Sequence, residues 1–223
     1  MEIREELQEL LKCLGEIPPV MENAEEILKN IEFDSKELAY AAAEVTDDYL
    51  YKEDFDGEEH NRSYIIEILK LFLKYGLDPN EITKDGENVM WSLAYMDDPD
   101  IVVFTARLLL ENGANPNNMN RPESRSLIDF VVFDNVYDDR YFFNGKFEEF
   151  YWSNVKYALI LMAYGGLQNG KILPVKMLDG RDISIFKHAE NFDFYYEMSD
   201  DRPCYWYIYI FDKKTKEVVA VWE

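Results

Sequence analysis

Histidine and cysteine are almost missing from this chain, with two of each among 223 residues. His60 and His188 are too few for a metal site built from several imidazoles of one chain, and no His-Glu-x-x-His run occurs. There is no phosphate-binding glycine loop and no dinucleotide fingerprint, so the sequence calls for no cofactor. Cys13 and Cys204 lie near opposite ends. They could join in one disulfide or remain two buried thiols, and the second reading suits a reducing cytosol. Basic residues are scarce as well: 23 Lys and Arg stand against 45 Asp and Glu, for a formal net charge of -22. A field of that sign repels nucleic acid and anionic membranes and favours basic partners, unless it serves solubility alone. No run of about 18 uncharged apolar residues is present, so no membrane span is expected. Met1-Glu2-Ile3-Arg4-Glu5-Glu6 is acidic where a secretory signal is basic and then apolar, which makes the cytoplasm the expected compartment.

What the chain does have is a recurring helix end. Leu73-Lys74-Tyr75-Gly76-Leu77-Asp78-Pro79-Asn80 returns as Leu110-Glu111-Asn112-Gly113-Ala114-Asn115-Pro116-Asn117, and again, worn down, as Met162-Ala163-Tyr164-Gly165-Gly166-Leu167-Gln168-Asn169. Each copy is an apolar helical run stopped by glycine, and a self-similar stop points to stacked repeats. Apolar periodicity predicts helices over residues 2–14, 22–31, 35–45, 63–75 and 101–111, and a long one over 148–164. Shorter helices are expected at 88–95 and 126–133. Residues 46–61 have no helical period and are heavily acidic. After Gly170 the period changes to two. Residues 191–198, 204–211 and 217–222 read as a three-stranded antiparallel meander packed on the last helix pair. Tyr205, Tyr207 and Tyr209 share one face of its middle strand, and that face is read as packed against the helices. An open edge strand there could accept a peptide.

Gly113-Ala114-Asn115-Pro116-Asn117 after a Leu-Leu-Leu helix resembles the ankyrin repeat, as does Gly76-Leu77-Asp78-Pro79-Asn80 followed by Asp85-Gly86. Gly76 and Gly113 are 37 residues apart, near the ankyrin length of about 33. The short helix departs from the family by having Asn88-Val89-Met90-Trp91 where Thr-Pro-Leu-His is usual. The resemblance covers roughly residues 35–170 and implies an ankyrin-like solenoid there; with the period-two strands, the chain is expected to be mostly α with a small C-terminal antiparallel sheet, α+β overall. A capping helix pair occupies 1–34. Three irregular repeats fill 35–170, with insertions at 46–61 and 134–147, and the β-meander caps them at 171–223. It also implies protein binding and no catalytic residues.

In such a unit the turn between short and long helix lies away from the glycine turn, and the unusual residues concentrate there. The first unit contributes Asp47, Asp48, Tyr49, Tyr51, Asp54, Asp56, Glu58 and Glu59; the second contributes Asp97, Asp98 and Asp100; the third contributes Asp134, Tyr137, Asp138, Asp139, Tyr141 and Phe142. Trp91 on the short helix is grouped with them. Stacking would bring these turns into one acidic, aromatic rim, suited to steering and gripping a basic protein. The bland alternative is a solvated loop set whose rings fold back onto the long helices. Asp78, Asn80, Glu81, Asn115, Asn117 and Asn118 at the glycine turns are a competing surface, although turns need such residues anyway. Small, acidic, irregular ankyrin-like proteins resemble bacterial immunity proteins that neutralise a toxin. An adaptor or effector for a host or cellular protein is the alternative reading, with a carboxylate-based hydrolase behind it.

Overall fold

Three glycines set the frame of the fold. Gly76, Gly113 and Gly165 have φ of 97°, 94° and 91°, a left-handed conformation that side-chain-bearing residues avoid. In each case the next residue returns its N–H to a carbonyl five positions back: Leu77 to Phe72 at 3.0 Å, Ala114 to Leu109 at 3.0 Å and Gly166 to Leu161 at 2.8 Å. One type of stop therefore ends α4 (Ser63–Lys74), α6 (Pro99–Glu111) and α8 (Glu149–Ala163). The third copy looks worn for a steric reason. A Cβ on Gly166 would lie 2.8 Å from the Leu161 carbonyl oxygen and 3.0 Å from the Ile128 side chain, so the alanine or leucine of the other copies does not fit.

The computed structural model describes residues 4–16, 18–51, 63–83, 88–96, 98–117, 126–131, 149–167, 175–198 and 206–222. The chain opens with α1 (Glu5–Leu14), α2 (Met21–Asn30) and α3 (Ser35–Tyr51). Asp34 and Glu37 cap α3 reciprocally, each carboxylate accepting the other residue's N–H at 2.9 Å. Two short helices follow, α5 (Val89–Ser92), continued by a tighter turn over Leu93–Tyr95, and α7 (Leu127–Phe130). Asn88 caps α5 by accepting from Met90 N at 3.1 Å, and Ser126 and Asp129 form a capping box at α7. Helix α1 packs on α2 and α3, α3 on α4 and α5, α4 on α6, and α6 on α8. The fold is thus mostly helical, with neighbouring long helices lying side by side.

Helix α3 overruns the expected boundary at Val45. Leu38, Ala41, Ala42, Val45 and Tyr49 are all buried on one face, so the apolar spacing continues past Thr46. The Thr46 hydroxyl donates to the Ala42 carbonyl at 2.7 Å and is satisfied within the helix. Residues 46–51 are therefore helix rather than insertion.

The sheet has four strands rather than three: β1 (Val175–Met177), β2 (Phe192–Met198), β3 (Trp206–Asp212) and β4 (Val218–Trp222). Their order is β1-β4-β3-β2, all antiparallel. β1 is too short to show alternation in sequence. Before β2, a tight helical stretch over Ile183–Asn191 starts at Asp182, whose carboxylate accepts from Ser184 N at 2.9 Å. It packs on α6 and α8. Phe186, fully buried, meets Phe192 edge-on at 5.1 Å. Arg107 on α6 fastens this stretch, reaching Glu190 at 2.8 Å and the Lys187 carbonyl at 2.8 Å. Trp152 of α8 stacks on Phe194 of β2 at 5.4 Å, which turns the Phe194 face of the sheet toward the helices.

Candidate functional site

At the glycine turns the polar residues join one unit to the next. Asn80 donates to the Gly113 carbonyl at 2.9 Å and accepts from Asn115 N at 2.7 Å. Asn117 repeats the arrangement one unit on, donating to the Gly165 carbonyl at 3.0 Å and accepting from Leu167 N at 2.8 Å. Upstream, Ser35 Oγ takes the acceptor's place, receiving Asp78 N at 3.4 Å. Asp78 and Asn115 also close their own turns, accepting from Asn80 N and Asn117 N at 2.9 Å each. The backbone atoms of successive turns are thereby bridged by side chains, and this surface is a joint first. Asn118 lies outside the described residues.

The opposite end carries the residues expected to form a rim. Its second and third units meet directly. Ser153 Oγ donates to the Met96 carbonyl at 2.6 Å, and Lys156 Nζ lies 2.6 Å from Asp100 Oδ1. Met96 and Asp100 flank the second turn, while Ser153 is one turn into α8 and Lys156 lies at its middle. Tyr157 donates to the Met90 carbonyl, and its full burial pushes the phenol well above its ordinary pKa. On the surface beside them, Tyr95 is 40% exposed and meets the half-buried Phe130 edge-on at 5.7 Å.

The individual residues fare differently. Tyr49 and Trp91 are each 2% exposed and belong to the core, which corrects their assignment as partner contacts. Tyr49 donates to the Leu14 carbonyl at 3.0 Å, tying α3 to α1, and Trp91 packs on Phe130 at 4.9 Å. Asp98 caps α6, accepting from Asp100 N at 3.0 Å and Ile101 N at 2.9 Å. Asp100 has a side chain 51% exposed, and its partner Lys156 is 5% exposed, so this carboxylate neutralises a nearly buried cation. Asp47 is half-buried on α3. Asp48 and Tyr51 are helical, and their side chains lie outside the described residues. Asp54, Asp56, Glu58, Glu59, Asp97, Asp134, Tyr137, Asp138, Asp139, Tyr141 and Phe142 also lie outside them. Sequence reasoning passed over Tyr95, Phe130 and Lys156. The clue was available for Lys156, a lone cation within the apolar run of α8.

The sheet corrects a further expectation. Ile208 and Ile210 are 4% and 0% exposed, and Tyr195, opposite Tyr209, is 39% exposed. The face bearing Tyr207 and Tyr209 therefore turns away from the helices, because Phe194 and Ile210 occupy the inner side. Tyr195 and Tyr209 stack at 4.7 Å with planes 11° apart. Partial desolvation, then the neighbouring Glu197 carboxylate, raises the Tyr209 phenol pKa. Tyr205 lies outside the described residues.

An open groove of about 550 Å³ between α4 and α6 is lined by Tyr64, Lys70, Phe104, Arg107 and Glu111 among others. Lys70 pairs with Glu67 at 2.7 Å, and Arg107 lies over the Phe104 ring at 5.1 Å while holding Glu190. His188 is 3.0 Å from Arg107 and 3.3 Å from Glu190, so its ring belongs to that polar joint. Cys13 is a free thiol whose pKa burial pushes up, away from the reactive thiolate. Among the described residues no group of three His, Cys, Asp or Glu side chains is placed to hold a metal, and no helix is long and apolar enough to cross a membrane. Compared with known proteins, the chain matches no family model and no curated protein.

Proposed function

We propose that this protein is an ankyrin-like repeat module that binds a basic protein stoichiometrically, at the end of its helical stack away from the glycine turns. One observation carries the reading. Met96 and Asp100 at the second turn are bonded to Ser153 and Lys156 of α8, so the helices bearing the second and third loops rise side by side. Loops that leave such neighbours start from one edge of the molecule, and insertions confined to one edge of a repeat stack often mark its binding face. The repeated Asn80 and Asn117 bridges support the ankyrin-like part of the reading, since they join like positions of successive units. A net charge of -22 supports the basic partner. Neutralisation of a basic toxin by an immunity protein is the form of binding that best suits this chemistry.

The test is affinity for a basic protein encoded next to this chain, measured at low and physiological salt. Binding should weaken as salt rises. It should fall about a hundredfold when Asp54→Lys, Asp56→Lys, Asp138→Lys and Asp139→Lys are combined, because a rim that attracted the partner would then repel it. A reversed rim that keeps wild-type affinity at physiological salt would overturn the proposal.

A further inference from the structure

The sheet presents a second surface, and the case for it does not rest on the rim. β2 stands last in the order β1-β4-β3-β2, so one of its edges pairs with β3 and the other meets no strand among the described residues. Pairing with β3 runs in unbroken register from Phe192 opposite Asp212 to Met198 opposite Trp206. Natural sheets usually blunt an edge of this length with lysine, proline or a bulge. The β2 sequence, Phe-Asp-Phe-Tyr-Tyr-Glu-Met, contains neither of those residues. The sheet's register shift lies between β3 and β4, at Ile210 and Phe211, and not in the β2–β3 pairing. Such an edge is a template for an added strand.

Charge decides what that strand can be. Asp193, Tyr195 and Glu197 alternate along β2 and so share the outer face, where Tyr195 and Glu197 are exposed and Asp193 is half-exposed. Two copies of this chain pairing antiparallel about Tyr195 would set each Asp193 opposite the other copy's Glu197. Parallel pairing in register would set like beside like. Both arrangements place carboxylates across from carboxylates, which destabilises a sheet. The existing neighbours of these acids lie on the β3 side: Lys213 Nζ is 3.7 Å from Asp193, and Glu197 is close enough to Tyr209 to raise its phenol pKa.

We propose that the open edge of β2 takes an extended basic segment of a partner protein. The segment would carry Lys or Arg two residues before and two residues after an aromatic or β-branched residue. The cations would face Asp193 and Glu197, and the central side chain would lie beside the exposed Tyr195 ring. Main-chain hydrogen bonds to β2 would supply the affinity, and the two charges would supply the selection.

The experiment titrates the isotope-labelled full chain with a capped peptide, Thr-Lys-Val-Tyr-Val-Lys-Thr, and follows backbone amide signals. Saturable shifts centred on residues 192–198 are expected. A peptide with Glu in place of both Lys should bind about tenfold more weakly, and backbone N-methylation of the Lys peptide on its pairing edge should abolish binding. The double variant Asp193→Lys with Glu197→Lys should reverse the preference, and Glu197→Lys alone should weaken it if the double variant does not fold. Rim reversal through Asp138→Lys and Asp139→Lys should leave peptide binding unchanged, which keeps this test separate from that of the rim. Equal binding of the two peptides, unchanged binding after N-methylation, shifts centred outside β2, or self-association of the chain through β2 would each overturn the proposal.

Discussion

The two ends of the helical stack use polar side chains in opposite ways. At the glycine turns, Asn80 and Asn117 each bridge to the next unit's backbone, so their amides are consumed by the fold. At the far end, Asp100 is half in water, joined to a cation that is not, and Tyr95 stands exposed beside Phe130. The first end is fixed by neutral side-chain amides bonded to backbone groups of the following turn. The second is fixed by a few buried anchors beneath a charged surface. The difference teaches that the most recognisable polar residues of a sequence can be spent on joining its own turns.

The comparison can be broken or sharpened by substitution. Trp91→Ala should have the largest effect, destabilising the fold by about 4 kcal/mol in urea denaturation, because a large buried ring is lost between α5 and Phe130. Wild-type stability with weakened partner binding would return Trp91 to the surface. Asp100→Ala should cost about 2 kcal/mol by the same measurement. This is less than for a fully buried pair, because the Asp100 side chain is 51% exposed while Lys156 is 5% exposed. Adding Lys156→Met should recover most of the loss, since an unpaired buried cation is then removed. Asn80→Ala and Asn117→Ala should each cost about 1 kcal/mol, with one backbone donor and one acceptor losing their partner in each case. A cost near zero would mean that water replaces the amide and that this end is free for other contacts.

The smallest effect is electrostatic and lies at the N-terminal helices. Lys74 and then Lys29, by hydrogen bonding, lower the pKa of Glu25 from its ordinary 4.5 to about 2. A carboxylate with a depressed folded pKa adds stability above its unfolded pKa and loses it as pH falls through the folded value. The stability gap between wild type and Glu25→Gln should therefore be present at neutral pH and shrink between about pH 4.5 and pH 2. High salt should narrow it at every pH, because the group is at the surface. A gap that persists at pH 2 would assign it to packing instead.

The helical part was legible where one signal repeated. Three glycine stops after apolar runs located α4, α6 and α8 without reference to propensity. Reading failed where polar residues interrupted an apolar face. Asp47 and Asp48 hid the extension of α3, although Val45 and Tyr49 continue its buried side. Three residues of β1 are too few for a period of two, and Ile183–Asn191 mixes polar and apolar residues on a tighter helical repeat. The site was less legible than the fold. Aromatic residues among acids suggested contact surface, yet Tyr49 and Trp91 fill the interior. Composition alone does not say which side of a helix a ring occupies. The outward tyrosine face of the sheet was missed for a related reason: both faces of β3 are apolar enough to bury. The burial of Ile208 and Ile210, with Phe194 stacked on Trp152 of α8, settles which one does.

The asparagine bridges carry a consequence for engineering. Each carboxamide reaches forward to complete the turn that comes after it, so neighbouring hairpins are not interchangeable bricks. A graft or deletion that keeps the Gly113 turn without an asparagine ahead of it would leave that turn naked, and one that keeps Asn80 with no glycine turn after it would leave a carboxamide with nothing to clasp. Splicing from just after one asparagine to just after the next would leave every glycine turn with an asparagine ahead of it to clasp it.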